Sequence, residues 1–600
     1  MTRRQIREAV QQFANSLVFG VWLFVLGVCW MPVEAQTRQA IINYESIHQP
    51  VIGRHGMVVS QNDIASAIGR EVLARGGNAV DAAVAMGFAL AVTLPRAGNL
   101  GGGGFMLLHL AEEDRTIALD YRSVAPLGSD PDLFRLEDGK IDWEQLTYGP
   151  RAAAVPGTVA GLHEAWRRWG SLPWAELVSP AYALAAEGIE VSEDLAYALA
   201  EAAETLRRYD ASARAYLPAG SGQWSAGERL VQPDLAASLA LIREGGADAF
   251  YRGELAQRIV AAMEAEDGLI TLEDLATYRV VEREPVAGNY RGYRVLSMPP
   301  PSAGGATLVQ MLNMLAAHDV ASLGAGSIAE LHLLAEVMKR AAANRRTWLG
   351  DPDYSEIPLA EFIDPIVALK AGKSIDLRQA TPAASVEPWP LGIAESRETT
   401  HYSAVDTDGN AVSNTYTLGY SFGSGWVAAG TGILFDNQMR NFSFRQGDFP
   451  HPNALAPGKR MLSTMAPTMV LNKEGGLVLV TGTPGGSDII NVLLQVLVNV
   501  IDHGLNVAEA SHRPRISQDW NSPQLGLEPG FSPEVIAGLR ALGHEVRIKR
   551  TMGSTQSIAV KADRLEGAPD PRRPNAAALG LLRPPVLAPN RPPNQTPPRQ

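Results

Sequence analysis

Two hydroxyl-rich, β-branched runs joined by a cluster of turn formers constrain this 600-residue chain more than any other feature. Tyr402-Ser403-Ala404-Val405 and the stretch from Ala411 to Thr417 read as strands, and Asp406-Thr407-Asp408-Gly409-Asn410 between them supplies a glycine for a positive φ. The pattern predicts a hairpin. With its turn centred near Asp408, Thr399 and Thr417 fall opposite each other within about one residue, close enough for cross-strand contact. Thr399, in Glu398-Thr399-Thr400-His401, then opens a strand far inside the chain. β-branched residues favour strands for their own reasons, so Thr399-Thr400 alone implies no chemistry. Cleavage between Glu398 and Thr399 would change that. One residue would then hold a nucleophilic hydroxyl and, in its freed α-amino group with a pKa of about 7.7 to 8.0, a general base.

The hairpin resembles the γ-glutamyltransferase family, N-terminal-nucleophile hydrolases made as one chain and activated by self-cleavage before a threonine. Similar stretches recur in the family's order: Arg75 to Ala83, Gly98 to Phe105, Val155 to Thr158, Pro299 to Gly305, Leu349 to Asp353, Thr481 to Ser487 and Gly553 to Ser557. The resemblance implies an α/β fold, a four-layer αββα sandwich, with a large segment 36–398 and a small catalytic segment 399–575 cut from one precursor. It also implies an enzyme that cleaves γ-glutamyl amides through a threonyl acyl-enzyme and passes the acyl group to water or an acceptor amine. No metal or organic cofactor is expected.

Leu477 to Val480 reads as a buried strand, and the apolar run after Asp488 as a buried helix, so Pro484-Gly485-Gly486-Ser487 makes a strand-to-helix turn. Unpaired N–H groups at such a turn suit a developing oxyanion. A tight turn needing small residues would explain the glycines equally. The resemblance assigns the oxyanion role to Gly485 and Gly486, and Thr417 is expected to orient Thr399. It further makes Arg122, in Asp120-Tyr121-Arg122-Ser123, the clamp on the substrate's carboxylate, assisted by the hydroxyls of Ser463 and Thr464. Gln438 agrees with many members. Asn441 stands where an acidic residue is usual, and Gly419 where asparagine is usual. A neutral amide pairs poorly with an ammonium, so glutaryl amides, which lack the amine, become a second candidate donor class, as in the related cephalosporin acylases. The short stretch from Asn441 to Lys459-Arg460 suggests a pocket without a covering loop.

Composition sets the remaining bounds. Hydrophobic residues make up 46% of the chain, enough for one or two large cores, and the formal net charge of −12 leaves no basic stripe for nucleic acid. Arg3, Arg4 and Arg7 precede an apolar run from about Leu17 to Met31, and Val33-Glu34-Ala35 offers a cleavage site, so residues 1–35 read as an export signal. Export implies a periplasmic or extracellular protein, and an uncleaved anchor, the alternative, would hold it at a membrane. The only cysteine, Cys29, lies in that run. The proline-rich stretch 576–600 reads as a disordered tail. No internal repeat appears, and the glycine-rich stretches lack the context of nucleotide loops. His332 and Glu336 share a helix face, a pattern commoner for packing than for metal binding. An uncleaved, exported binding protein is a third reading.

Overall fold

The computed structural model describes residues 46–220, 222–386, 398–444, 451–519 and 522–586. The expected export signal, with Cys29, lies outside them. Residues 46–49 form a bend closed by Gln49 Nε2 donating to Ser46 O. From Pro50 onward the chain forms one compact unit.

Two seven-stranded sheets organise that unit. The first runs, in spatial order, through Val51–Gly53, Leu565–Pro569, Gln556–Val560, Leu477–Thr481, Thr468–Leu471, Tyr293–Ser297 and Val286–Tyr290. The second runs through Ala577–Gly580, Met57–Ser60, Glu398–Val405, Ala411–Gly419, Gly103–Leu110, Arg115–Tyr121 and Val281–Arg283. Neighbouring strands are antiparallel in both.

Alternation along the strands builds the layers. Tyr402, Ala404, Val412 and Tyr416 of the second sheet join one apolar core with the helices Asp63–Ala74 and Ala79–Thr93. Met57, Val59, Phe105, Leu107 and Val405 point the other way, into a core shared with Met469, Val480 and Ile558 of the first sheet and the helices Gly304–Leu315 and Ile489–Ile501. A helix layer covers each outer face, which is the expected αββα sandwich. Asn78 caps the helix Ala79–Thr93 in a reciprocal capping box with Asp81.

Near Thr399 the layer between the sheets becomes polar. Ser403 Oγ donates to Gln556 O (2.9 Å), Ser413 Oγ to Thr481 O (3.0 Å), and Thr481 Oγ1 bonds Ser557 Oγ (2.7 Å). Each hydroxyl finds a partner, those of Ser403 and Ser413 on the facing sheet and the Thr481–Ser557 pair within its own, so the seam costs little to bury while the two crossing bonds fix the register of one sheet on the other.

Part of the stretch expected as a tail from residue 576 is a strand instead. Ala577–Gly580 is an edge strand on Met57–Ser60, with Ala577 opposite Ser60 and Gly580 opposite Met57. Leu581 then anchors the turn, accepting from the N–H groups of Arg54 and His55 and donating to Gly56 O. A strand this short carries too little periodicity to be seen beside proline-rich sequence, and only the open sheet edge makes it form. The described chain therefore stays packed on the sheet past 575, and residues 587–600 lie outside the described residues. A chain stopped after Asn575 should lose about 2–4 kcal/mol, chiefly from the exposed edge and the lost burial of Ala578 and Leu581. Urea unfolding of the two lengths measures this, and equal midpoints would refute the anchoring role.

Candidate active site

The hairpin places its residues as the sequence predicted, except at one point. Thr400 pairs with Tyr416, His401 with Thr415 and so on to Val405 with Ala411, a register centred on Asp408. Glu398, however, pairs with Gly419, so Thr417 and Leu418 together face the single residue Thr399. Such a bulge re-aims the side chains beside it. Here Thr399 Oγ1 donates to Thr417 Oγ1 at 3.3 Å, and Gly419 N–H donates to the same oxygen at 2.9 Å. Both threonines are buried, at 3% and 2% exposure.

His401 is the nearest ring that could serve as a base, and its bonds forbid it. Ser403 Oγ gives its proton to Gln556 O, so it must accept from His401 Nε2–H at 3.1 Å. His401 Nδ1 is then left to accept from Thr415 Oγ1 at 2.8 Å. Every donor in this chain leads away from Thr399. Burial pushes the imidazole down to about 3, so it stays neutral at working pH. The ring lies against Gly482, where a Cβ would come within 2.3 Å of its Cε1.

The glycine turn follows the strand Leu477–Thr481 as expected. Gly485 and Gly486 have φ of +130° and +57°, conformations side chains resist, and a 3-10 turn Gly486–Asp488 leads into the helix Ile489–Ile501. Thr464 Oγ1 donates to Gly486 O at 2.8 Å. Its hydroxyl, expected on the substrate, is therefore tied to the turn, because the carbonyl of a residue at positive φ faces it. Ser463 Oγ accepts from Met465 N–H (3.1 Å), and its own proton goes to no acceptor among the described residues.

Arg122 sits at the end of the strand Arg115–Tyr121, 1% exposed. Its Nε reaches Met461 O at 3.5 Å, and its Nη1 has no hydrogen-bond partner. Burial pulls the guanidinium down to about 10, with Asp436 and Asp120 opposing. Asp120 is itself engaged by Arg283 at 2.8 Å and Arg460 at 3.4 Å. A buried cation with an open donor is costly unless an anion arrives, so the arrangement suits a carboxylate ligand.

Gln438 and Asn441 lie on one 3-10 turn, Gln438–Asn441. Gln438 Nε2 donates to Thr417 O (3.3 Å) and its Oε1 accepts from Asn441 Nδ2 (3.1 Å), which links the turn directly to the nucleophile's partner. Asn441 Oδ1 is buried without a partner. Asn437, which sequence reasoning missed, explains Gly419: with Gly419 at φ +94°, a Cβ there would lie 2.2 Å from Asn437 Oδ1. That oxygen accepts from Tyr420 N–H, so the space an asparagine at 419 would need is filled. Asp436 was missed as well; its only signal was an acid directly before the amide run. Of residues 442–458, 445–450 lie outside the described residues, so the expected open mouth is not placed.

His332, Glu336 and His544 do converge, with potential ligand atoms within 4.8 Å of one another. Glu336, though, is already paired with Lys339 (2.7 Å) and Arg340 (2.6 Å) and accepts from Thr381 N–H. His332 Nδ1 bonds His544 Nε2 and its Nε2 meets Asp376 O. Two cations on the carboxylate oppose a metal ion, and the cluster works as a buried polar tie.

An αββα sandwich with a buried threonine hydroxyl near the start of an inner strand fits the N-terminal-nucleophile class of hydrolases. The Gamma-glutamyltranspeptidase family model matches residues 65–580, and the chain belongs to that family. It is 45% identical to the glutathione hydrolase proenzyme of Escherichia coli (strain K12), over 88% of this chain and 92% of that one. It is 39% identical to the Acylase ACY 1 proenzyme of Pseudomonas sp. (strain SE83), over 86% and 91%. The crystal structure of cephalosporin acylase from Bacillus halodurans superposes with a TM-score of 0.80 at 29% identity, covering 90% of this chain and 98% of that one. Helicobacter pylori γ-glutamyltranspeptidase gives 0.54 at 39% identity, over 58% and 97%.

Thr417→Ser should keep the bond to Thr399 and retain most self-cleavage, whereas Thr417→Ala should slow it about tenfold or more, the worth of one hydrogen bond to a reacting group. Band intensities against time on a denaturing gel read this directly, and equal rates for both variants would remove Thr417 from the mechanism.

Proposed function

We propose that Thr399 is the nucleophile of two successive reactions. In the first, its Oγ1 attacks the carbonyl of Glu398; the peptide nitrogen leaves as the α-amine of Thr399, and water cleaves the resulting ester. In the second, the freed amine takes the proton from Oγ1 as it attacks the side-chain amide of a donor. The N–H groups of Gly485 and Gly486 receive the oxyanion, and Thr417 holds the attacking oxygen. The leaving amine departs with a proton, and water or an acceptor amine takes the acyl group. The enzyme is a γ-glutamyl hydrolase and transferase made as a precursor that is processed into two subunits, and its substrate is a small molecule.

The observation that carries the residue assignment is the hydrogen bond between the buried hydroxyls of Thr399 and Thr417. His401, neutral and fully engaged, leaves the α-amine as the base. Wild type should give two fragments, the smaller beginning at Thr399, and Thr399→Ala one band. Edman degradation of active material that never finds threonine first would falsify this reading.

Glutaryl amides are the second donor class, favoured by the neutral Asn441 with its open Oδ1 and by likeness to an acylase proenzyme. Asn441→Asp should raise the preference for a γ-glutamyl anilide over its glutaryl counterpart about tenfold, since a charge-assisted bond is about twice as strong as a neutral one. The ratio of kcat/KM values measures it; a wild type already strongly selective for the amine-bearing compound argues against glutaryl donors. Residues 1–35 support export to the periplasm or exterior. No helix among the described residues is long and apolar enough to cross a membrane.

A further inference from the structure

Asp436 joins three parts of the candidate site. It is fully buried, and its carboxylate accepts from Ser123 Oγ (2.7 Å), Ala154 N–H (2.9 Å) and Gln438 N–H (3.3 Å). Ser123 follows Arg122 directly. Gln438 begins the turn that reaches Thr417 and Asn441. Ala154 precedes Val155, which pairs with Val124 and closes the loop behind Arg122. We propose that Asp436 is a specificity-determining residue of the carboxylate subsite, a fixed counter-charge to Arg122 that sets how strongly the site attracts an anionic acyl donor. The inference rests on Arg122 being the donor's carboxylate anchor.

The physical argument is one of charge balance. Arg122 is the charged group whose field acts on Asp436, through space rather than by direct contact, and around it lie Asp120, Arg283, Arg460 and the buried phenol of Tyr278. On Asp436's own segment Asn437, Gln438 and Asn441 are neutral, and Arg440 lies over the Tyr420 ring with its Nη1 donating to Thr147 Oγ1. With Asp436 ionised, Arg122 and Asp436 form a neutral pair, and a substrate carboxylate adds an uncompensated negative charge where water does not screen it. With Asp436 protonated, Arg122 meets the substrate alone. Burial pushes this carboxyl up to about 7, against smaller pulls from its three donors and from Arg122. The direction follows: as pH rises through neutrality the subsite loses net positive charge, and binding a carboxylate draws a proton onto Asp436.

Asp436→Asn is close to isosteric. Its Oδ1 can still accept from Ala154 and Gln438, and its Nδ2 can donate to Ser123 Oγ, whose hydroxyl can turn. The test compares processed wild type and Asp436→Asn on a γ-glutamyl anilide and on its α-carboxamide, which lacks the carboxylate, at about pH 6 and about pH 8.5. Titration of the substrates and of the Thr399 amine is common to both enzymes and cancels between them. At the higher pH the variant should show a KM for the free-carboxylate donor lower by about fivefold to tenfold, with kcat and the carboxamide KM little changed, and the two enzymes should agree at the lower pH. Superimposed KM profiles from a wild type that prefers the carboxylate would overturn the role of Asp436 alone. A wild type indifferent to the carboxylate would overturn the Arg122 anchor and this inference with it. Should Asp436→Asn fail to mature, Ser123→Ala removes one donor and leaves the carboxyl, so the KM transition should move to higher pH; an unmoved transition overturns the proposal.

Discussion

One slip in strand pairing underlies the site. If the hairpin kept its register to the end, Thr399 would face Thr417 as an ordinary pair and Glu398 would face Leu418. Instead Glu398 pairs with Gly419, and Thr399 is left opposite two residues. Gly419 permits this, since its φ of +94° turns the partner strand so that its N–H reaches Thr417 Oγ1 two residues back. The Thr399 hydroxyl thereby meets an oxygen already fixed by the backbone. A site held on two inner strands of a sandwich is placed more firmly than one on loops, because the strands cannot shift without breaking their ladders.

The polar seam between the sheets serves the same end. Hydroxyls at 403, 413, 415, 481 and 557 take the place of apolar side chains along the strands that carry Thr399 and Thr417 and on the sheet opposite, each bonded to a partner. A purely hydrophobic interface would bury the strands as well but would tolerate sliding, whereas directional bonds select one register. His401 belongs to this seam. Its position two residues from Thr399 invites a catalytic reading, but its hydrogen bonds make it a structural ring.

The proposed donor subsite is divided unequally. Its carboxylate end would rest on a buried arginine with an open donor, while its amine end would meet neutral amide oxygens of Gln438 and Asn441. Asn437 fills the volume beside Gly419, so of the two departures from the family pattern, at 419 and 441, the first is enforced by packing. Restoring an amine-binding acid at 441 is sterically simple; restoring a side chain at 419 is not.

The hairpin, its turn and the strand-to-helix turn at Gly485-Gly486 were legible in the sequence because each depends on residues close along the chain. Local propensity, turn chemistry and side-chain alternation fix such elements before any long-range contact forms. The family resemblance carried the αββα fold and put forward Thr399, Thr417, Arg122 and Gln438 as candidate site residues. Tertiary structure alone decided the rest. It placed Asp436 behind Arg122, took the Thr464 hydroxyl for the glycine turn, closed His401 into a donor chain and drew Ala577–Gly580 out of an expected tail onto a sheet edge. Those outcomes turn on which buried polar group finds which partner across hundreds of residues, and a buried donor or acceptor must be satisfied wherever the fold happens to bring one. Sequence order holds no record of that distance.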